Sequence, residues 1–408
     1  MAVGRFNSYQ AQVLVVLALV NFVNYIDRQI IFPLFSLIKA DFALSDFQLG
    51  LLGTVFSIVH ALGTLPLGWL ADRTSRVKVI SYGVLFWSGA TFLSGLAGSF
   101  RSLLAARALV GVGEAAYTPA AAATLSDSFP EEVRARVQGV FNLGMFVGGA
   151  LGLALGGIIA EWAGWRPAFF LVGVPGLILA LTVLRLPEPP REKNAERVPL
   201  PLLLRVPAYV LVLVSGWLVT FAGYAYISWG TEFVIRYKGF GLREAGVSLG
   251  VLLVVAGIFG VLGGAALADR LAQRFVWGRV LAVSGGFLLS APLLYWALHA
   301  PSKAVFLGAF FAGAFFMTWY HGPVTAILHD LTPPRAHATA MGLYLFVVHL
   351  FATTLAPAVI GRIADRAGLL AGMHTALAAQ VAGGLLFLLV IYYIRRDGLR
   401  HPALAAYR

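Results

Sequence analysis

Twelve apolar runs divide this chain, at 11–38, 46–71, 78–98, 101–127, 134–162, 167–186, 206–236, 243–269, 278–299, 303–330, 336–364 and 370–394. A helix needs about 20 apolar residues to cross the hydrocarbon core of a bilayer, and each run approaches or exceeds that length. Of the 408 residues 59% are hydrophobic and 12% charged, against about 25% charged in soluble domains. A water-soluble core cannot absorb such a sequence, so the chain reads as an all-α polytopic membrane protein. Its net charge of +12 comes from lysines and arginines in short loops between the runs. That is the pattern of membrane topology and not of a nucleic-acid surface. With no cysteine, disulfides, thiolate chemistry and Cys-ligated metals are excluded. The first run has no small-residue cleavage site and reads as a retained helix.

The stretch from Arg185 to Arg197 is rich in proline and charge and reads as a linker between two six-helix halves. The expected division is 1–186, a linker at 187–205, 206–395, and a tail at 396–408. With the N-terminus inside, 19 of the 30 lysines and arginines fall in inner segments and 9 in outer ones. This excess predicts an inner-membrane protein with both termini cytoplasmic.

The halves repeat. Leu70-Ala-Asp-Arg73 returns as Leu267-Ala-Asp-Arg270, 197 residues later. Gly157-Ile-Ile-Ala-Glu-Trp-Ala-Gly164 returns as Gly361-Arg-Ile-Ala-Asp-Arg-Ala-Gly368, and Arg134-Ala-Arg-Val-Gln-Gly139 as His337-Ala-Thr-Ala-Met-Gly342. Each half has an even number of spans, so the repeats run parallel about an axis along the membrane normal. This arrangement is similar to that of the major facilitator superfamily: twelve transmembrane helices in two six-helix bundles.

Asp27 and Arg28 lie inside the first run, where each charge costs on the order of 2.5–3.5 kcal/mol to insert. Neighbours in sequence do not face each other on a helix, so both need outside partners. Arg107 and Glu114 in the fourth run are two turns apart, about 10.5 Å along the axis. The simplest solution is cross-pairing, Asp27 with Arg107 and Arg28 with Glu114. Intramembrane charges point to a proton or substrate pathway; the plainer reading is a structural salt-bridge network.

Gly68-Trp-Leu-Ala-Asp72-Arg73-Thr-Ser75-Arg76-Val-Lys78 resembles the superfamily's loop between helices two and three, which clasps the cytoplasmic side. Asp72 can accept from a helix N-terminus, and the arginines can bond helix-end carbonyls. Asp269 and Arg270 repeat the motif, and Ser75 stands where the family usually has glycine. His60, His321 and His349 lie at membrane depth, as proton relays or as ordinary hydrogen-bonding residues. Tyr224, Tyr226, Trp229 and Glu232 cluster in run seven, as an interface belt or as a cavity wall with Glu232 at its outer mouth. Gly144, Gly148, Gly152 and Gly156 give run five one small face suited to close packing and sliding. Two motifs are decoys. Gly111-Val-Gly113-Glu-Ala-Ala116 matches a dinucleotide fingerprint and Gly246-Val-Ser248-Leu-Gly250 a nucleophile elbow, but both lie within apolar helices and not at strand-to-helix turns.

Asn24-Tyr25-Ile-Asp27-Arg28, Arg107-Ala-Leu-Val-Gly-Val-Gly-Glu114-Ala-Ala-Tyr117, Thr231-Glu-Phe-Val-Ile-Arg236 and Gly263-Gly-Ala-Ala-Leu-Ala-Asp269-Arg270 resemble the Spinster family of that superfamily, over essentially the whole chain. The resemblance implies a proton-linked exporter of lysolipids or sphingoid phosphates such as sphingosine-1-phosphate. It links Asp27 and Glu114 to protonation, and Arg28 to headgroups and gating. The expected substrate-binding and gating residues are Arg28, Arg107, Tyr25, Tyr117, Trp229, Glu232 and His321, with Gly68, Asp72, Arg73, Arg76, Asp269 and Arg270 as the cytoplasmic gate. No catalytic residue, metal or cofactor is expected. The expected partners are a small-molecule or lipid substrate, protons and the bilayer, with the chain as a monomer. Symport of small organic acids, multidrug/proton antiport, and a receptor or scaffold without transport stand as alternatives.

Overall fold

The computed structural model describes residues 7–188, 200–333 and 336–398. Among the described residues there is no strand, and every apolar run is helical, with ends within a few residues of those expected. The first half comprises α1 (Ser8–Ile30), α2 (Phe35–Phe42), α3 (Asp46–Arg73), α4 (Arg76–Gly95), α5 (Phe100–Ser128), α6 (Glu131–Ala163) and α7 (Arg166–Val183). A one-turn helix, α8 (Leu200–Leu203), precedes α9 (Pro207–Lys238), α10 (Leu242–Arg274), α11 (Gly278–Leu298), α12 (Lys303–Met317), α13 (His321–Leu331), α14 (His337–Val347), α15 (Leu355–Ala367) and α16 (Leu369–Asp397).

Local sequence sets the helix ends. Asn7 with Gln10 and Ser45 with Gln48 form capping boxes on α1 and α3, each satisfying backbone donors that the first turn leaves open. Ser302 caps α12. Gly239, at φ +68°, closes α9 in the left-handed region that glycine reaches without strain.

Three spans carry breaks that the apolar pattern does not reveal. A 3-10 turn at Phe32–Leu34 separates α1 from α2 at Pro33. Another at Thr318–Tyr320 separates α12 from α13, just before Pro323. A π segment at Val348–Thr353 joins α14 to α15, four residues before Pro357. Proline has no N–H and crowds the carbonyl four residues earlier, so the ladder opens on its N-terminal side. Proline permits such a break without dictating it: Pro66, Pro119, Pro175 and Pro292 lie within continuous helices.

With the breaks bridged, the described residues form twelve long helical segments that are candidate membrane spans. Eleven are long and apolar enough to qualify by composition. The twelfth, α5, is 29 residues long, but Arg107, Glu114 and many small residues lower its hydropathy.

The chain divides into two compact units. Unit 1 holds the described residues up to 188 together with Phe240–Val251; unit 2 holds those from 200 to Gly239 and from Leu252 onward. Unit 1 is built on Trp87, Tyr117, Phe56, Phe129 and the aliphatic face of α1. Unit 2 is built on Tyr209, Phe287, Phe387 and Tyr344. The small face of α6 turns to α1. A Cβ on Gly152 would lie 2.6 Å from the carbonyl oxygen of Ile26, and one on Gly156 2.8 Å from that of Ile30. The glycines thus bring α6 against the backbone of the helix that carries Asp27 and Arg28. Of the expected linker at 187–205, residues 189–199 lie outside the described residues, as do residues 399–408 of the expected tail at 396–408.

Candidate functional site: two crossed ion pairs in unit 1

Asp27 and Arg28 occupy the last turn of α1, immediately before the break at Pro33. Both cross-pairs form. Arg28 Nε donates to Glu114 Oε2 at 2.6 Å, and Arg107 Nη1 to Asp27 Oδ1 at 3.4 Å. Glu114 is fully buried; Asp27 and Arg107 are each 1% exposed. Thr91 of α4 also donates to the Asp27 carboxylate.

Helix α3 supplies two residues that close the site. His60 Nε2 lies 3.1 Å from Arg28 Nη2. Phe56, one turn earlier, stacks on the His60 ring with centroids 5.9 Å apart. The Phe56 ring lies 5.4 Å from the Arg28 guanidinium and 5.1 Å from that of Arg107. One aromatic ring therefore serves two cations. Tyr25 adds a second ring, 5.2 Å from Arg28. Glu114 Oε1 is buried without a hydrogen-bond partner, so the inner carboxylate has an open acceptor position. Thr91 and Phe56 were not legible as site residues: a threonine and a phenylalanine in apolar runs carry no charge signal.

Tyr117 points its hydroxyl at the Leu17 carbonyl, 3.2 Å away, and packs its ring edge-on against Trp87. The remaining expected residues lie in unit 2. Trp229 is fully buried and donates its indole N–H to the Pro357 carbonyl at 3.0 Å. Glu232 pairs with Arg236 at 2.6 Å, one turn on. His321 opens α13 directly after the 3-10 turn; its ring lies 4.2 Å from that of Tyr320, and its side chain is exposed.

The Gly68–Lys78 motif forms the α3–α4 corner. Gly68 abuts Pro119 of α5. Arg76 joins Asp72, at 3.3 Å, to Asp127 at the end of α5. Arg73 lies over the Trp69 ring at 4.0 Å. The departure at Ser75 has a local reason: it is the N-cap of α4, and its Oγ accepts from Lys78 N at 3.2 Å. Glu188, just after α7, completes that helix start by accepting from Arg76 N at 2.7 Å and Val77 N at 3.3 Å. Val79 N bonds the Ser75 carbonyl at 3.0 Å. The first four amide donors of α4 are all satisfied. Glu188→Ala is expected to cost about 1 kcal/mol of stability, the usual value of a lost cap. It should also speed hydrogen exchange at the Arg76 and Val77 amides; unchanged exchange there would refute the capping role.

Unit 2 repeats this corner. Arg279 pairs with Asp330 at 2.6 Å and approaches Asp269 at 3.7 Å. Arg76 and Asp127 recur 203 residues later as Arg279 and Asp330, so the repeat itself held the signal for two aspartates that motif reading passed over.

Residues 17–357 match the Major Facilitator Superfamily model. A twelve-helix membrane protein on that match is a transporter of the superfamily. Comparison with individual proteins is narrower. The chain is 31% identical over 92% of its length to an MFS-type efflux pump of Mycolicibacterium smegmatis, covering 88% of it. It is 31% identical to Protein spinster homolog 1 of Xenopus tropicalis, over 88% of this chain and 74% of that protein. Among solved structures it is similar to a bacterial homolog of the human lysosomal transporter Spinster, in an inward-facing and occupied conformation. The TM-score there is 0.86 at 25% identity, over 96% of this chain and 99% of the other. The chain belongs to the Spinster family.

Proposed function

We propose that this protein is a proton-coupled secondary transporter that works by alternating access and moves an amphipathic organic anion, such as a lysolipid or sphingoid phosphate. The reading rests on Arg28, which contacts both Glu114 and His60 beside the Asp27–Arg107 pair. A proton on Glu114 removes the charge that holds Arg28, and a proton on Asp27 does the same for Arg107. The released guanidinium then serves an anionic headgroup, with Tyr25 and Tyr117 beside it. In unit 2, Trp229, Glu232 and His321 are assigned to substrate contact or gating. Residues 1–186 and 206–395 act as the two rocking halves, joined by 187–205. The corners at Gly68, Asp72, Arg73 and Arg76, and at Asp269 and Arg270, form the cytoplasmic gate. In this reading the protein is a monomer in the inner membrane, with both termini cytoplasmic.

A second reading, export of amphipathic drugs against protons, is favoured by the mycobacterial relative, whose name is that of an efflux pump.

The test uses proteoliposomes with a trapped pH indicator. A lysophosphatidate pulse is expected to move protons, and Asp27→Asn to slow that flux about 100-fold or more, the scale of a lost proton-transfer group. A response to a cationic dye but not to lysophosphatidate supports the second reading. No proton movement with either removes proton coupling.

A further inference from the structure

The connection Phe275–Trp277 joins α10 to α11 at the end of unit 2 where α16 also finishes. Helix α11 has 21 residues, about 31 Å of helix, close to the thickness of a bilayer's hydrocarbon core. A span of that length has its first residue near one boundary when it fills the core, which sets Phe275, Val276 and Trp277 at headgroup level. Phe275 is 43% and Val276 64% exposed. The Phe275 and Trp277 rings stack with centroids 4.8 Å apart, and the Arg395 guanidinium lies 5.7 Å from the Trp277 ring.

The charges around this wedge fall into two groups. Arg279 is neutralised by Asp330 and Asp269, and Arg396 by Asp397 at 2.7 and 2.9 Å. Arg270, Arg274 and Arg395 are exposed, and among the described residues none of the three has a carboxylate partner. Arg270 and Arg274 are one turn apart and share a face of α10. Three cations without a carboxylate partner among the described residues thus flank an apolar wedge.

We propose that this surface is a binding site for an anionic phospholipid. Its phosphate sits on Arg274 and Arg395, and its acyl chain lies beside Phe275 and Val276. A zwitterionic lipid carries its own cation and gains less from unneutralised arginines, whereas each juxtamembrane basic residue adds attraction for an anionic one. Aromatic rings at this depth hold the glycerol region. The site lies wholly in unit 2 and stands whether or not transport is proton-coupled; only the leaflet, the inner one, depends on the orientation proposed above.

The full-length protein, stripped of lipid in a neutral detergent, is to be titrated with phosphatidylglycerol and phosphatidylcholine of identical chains. Native mass spectrometry and thermal unfolding are the readouts. Wild type is expected to retain phosphatidylglycerol about ten-fold better or more. That preference should collapse in Arg274→Gln/Arg395→Gln, while Val276→Asp weakens retention of both lipids. The single arginine variants, each at an exposed position, keep the test open if the double variant is poorly folded. Inorganic phosphate and glycerol phosphate should not stabilise the protein. Equal retention of the two lipids by wild type, an unchanged preference in the arginine variants, or full stabilisation by free phosphate would each overturn the site.

Discussion

Glu114→Ala is expected to destabilise the protein by roughly 3–5 kcal/mol, because it leaves a largely buried guanidinium without its carboxylate. The Arg28 side chain is only 14% exposed and Glu114 is fully buried, so water cannot replace the lost partner. Glu114→Gln keeps the shape and one acceptor, and should lose less stability while losing proton-driven flux. The informative variant removes both charges. Paired apolar replacements of a buried ion pair are often near neutral, so Arg28→Met/Glu114→Leu should recover most of the stability lost in Glu114→Ala. It should not recover transport. Thermal unfolding in detergent and lysophosphatidate-dependent proton flux separate the two effects. Should the double variant regain flux with stability, the pair is a structural salt bridge, and the switch assigned to it is wrong.

The crossed arrangement explains why four charges persist at membrane depth. Both guanidiniums lie within about 6 Å of the Phe56 ring, each close enough for a cation–π contact. Each carboxylate is hydrogen-bonded to a different arginine, Glu114 to Arg28 and Asp27 to Arg107.

Most of this was legible where charge or periodicity carries the signal. The twelve spans followed from apolar length, and the cross-pairing from two elementary facts, that Asp27 and Arg28 point apart and that Arg107 and Glu114 are two turns apart. What escaped was neutral or distant. Phe56 and Thr91 look like lipid-facing residues until packing places them against the charges. Glu188 lies 112 residues from the amide of Arg76 that it caps, and no local pattern links them. The breaks at Pro33, Pro323 and Pro357 were hidden because other prolines of the same chain stay in regular helix.

Gly113, next to Glu114, should be the least tolerant position in the site. A Cβ there would lie 2.6 Å from the backbone nitrogen of Trp87 and 2.7 Å from the Gly83 carbonyl oxygen. Both are main-chain atoms of α4, so no side chain can rotate aside and the two helices must separate. Gly113→Val is expected to cost about 3 kcal/mol or more, at or beyond the upper end of overpacking effects. Gly113→Ala is the sharper test. Pushing α5 from α4 by even about 1 Å moves Glu114 relative to Arg28, and displacements of that size can cost about 100-fold in rate. Flux in Gly113→Ala should therefore fall much further than its unfolding temperature. Gly89 on the same helix α4 provides the control, since nothing lies within 4 Å of a Cβ built there. Gly89→Ala should leave flux unchanged and raise stability by up to about 1 kcal/mol, the helix-propensity difference between the two residues. If Gly113→Ala behaves like Gly89→Ala, close approach of α4 and α5 is not what positions Glu114, and the geometry of the site must be held from α1 and α3 instead.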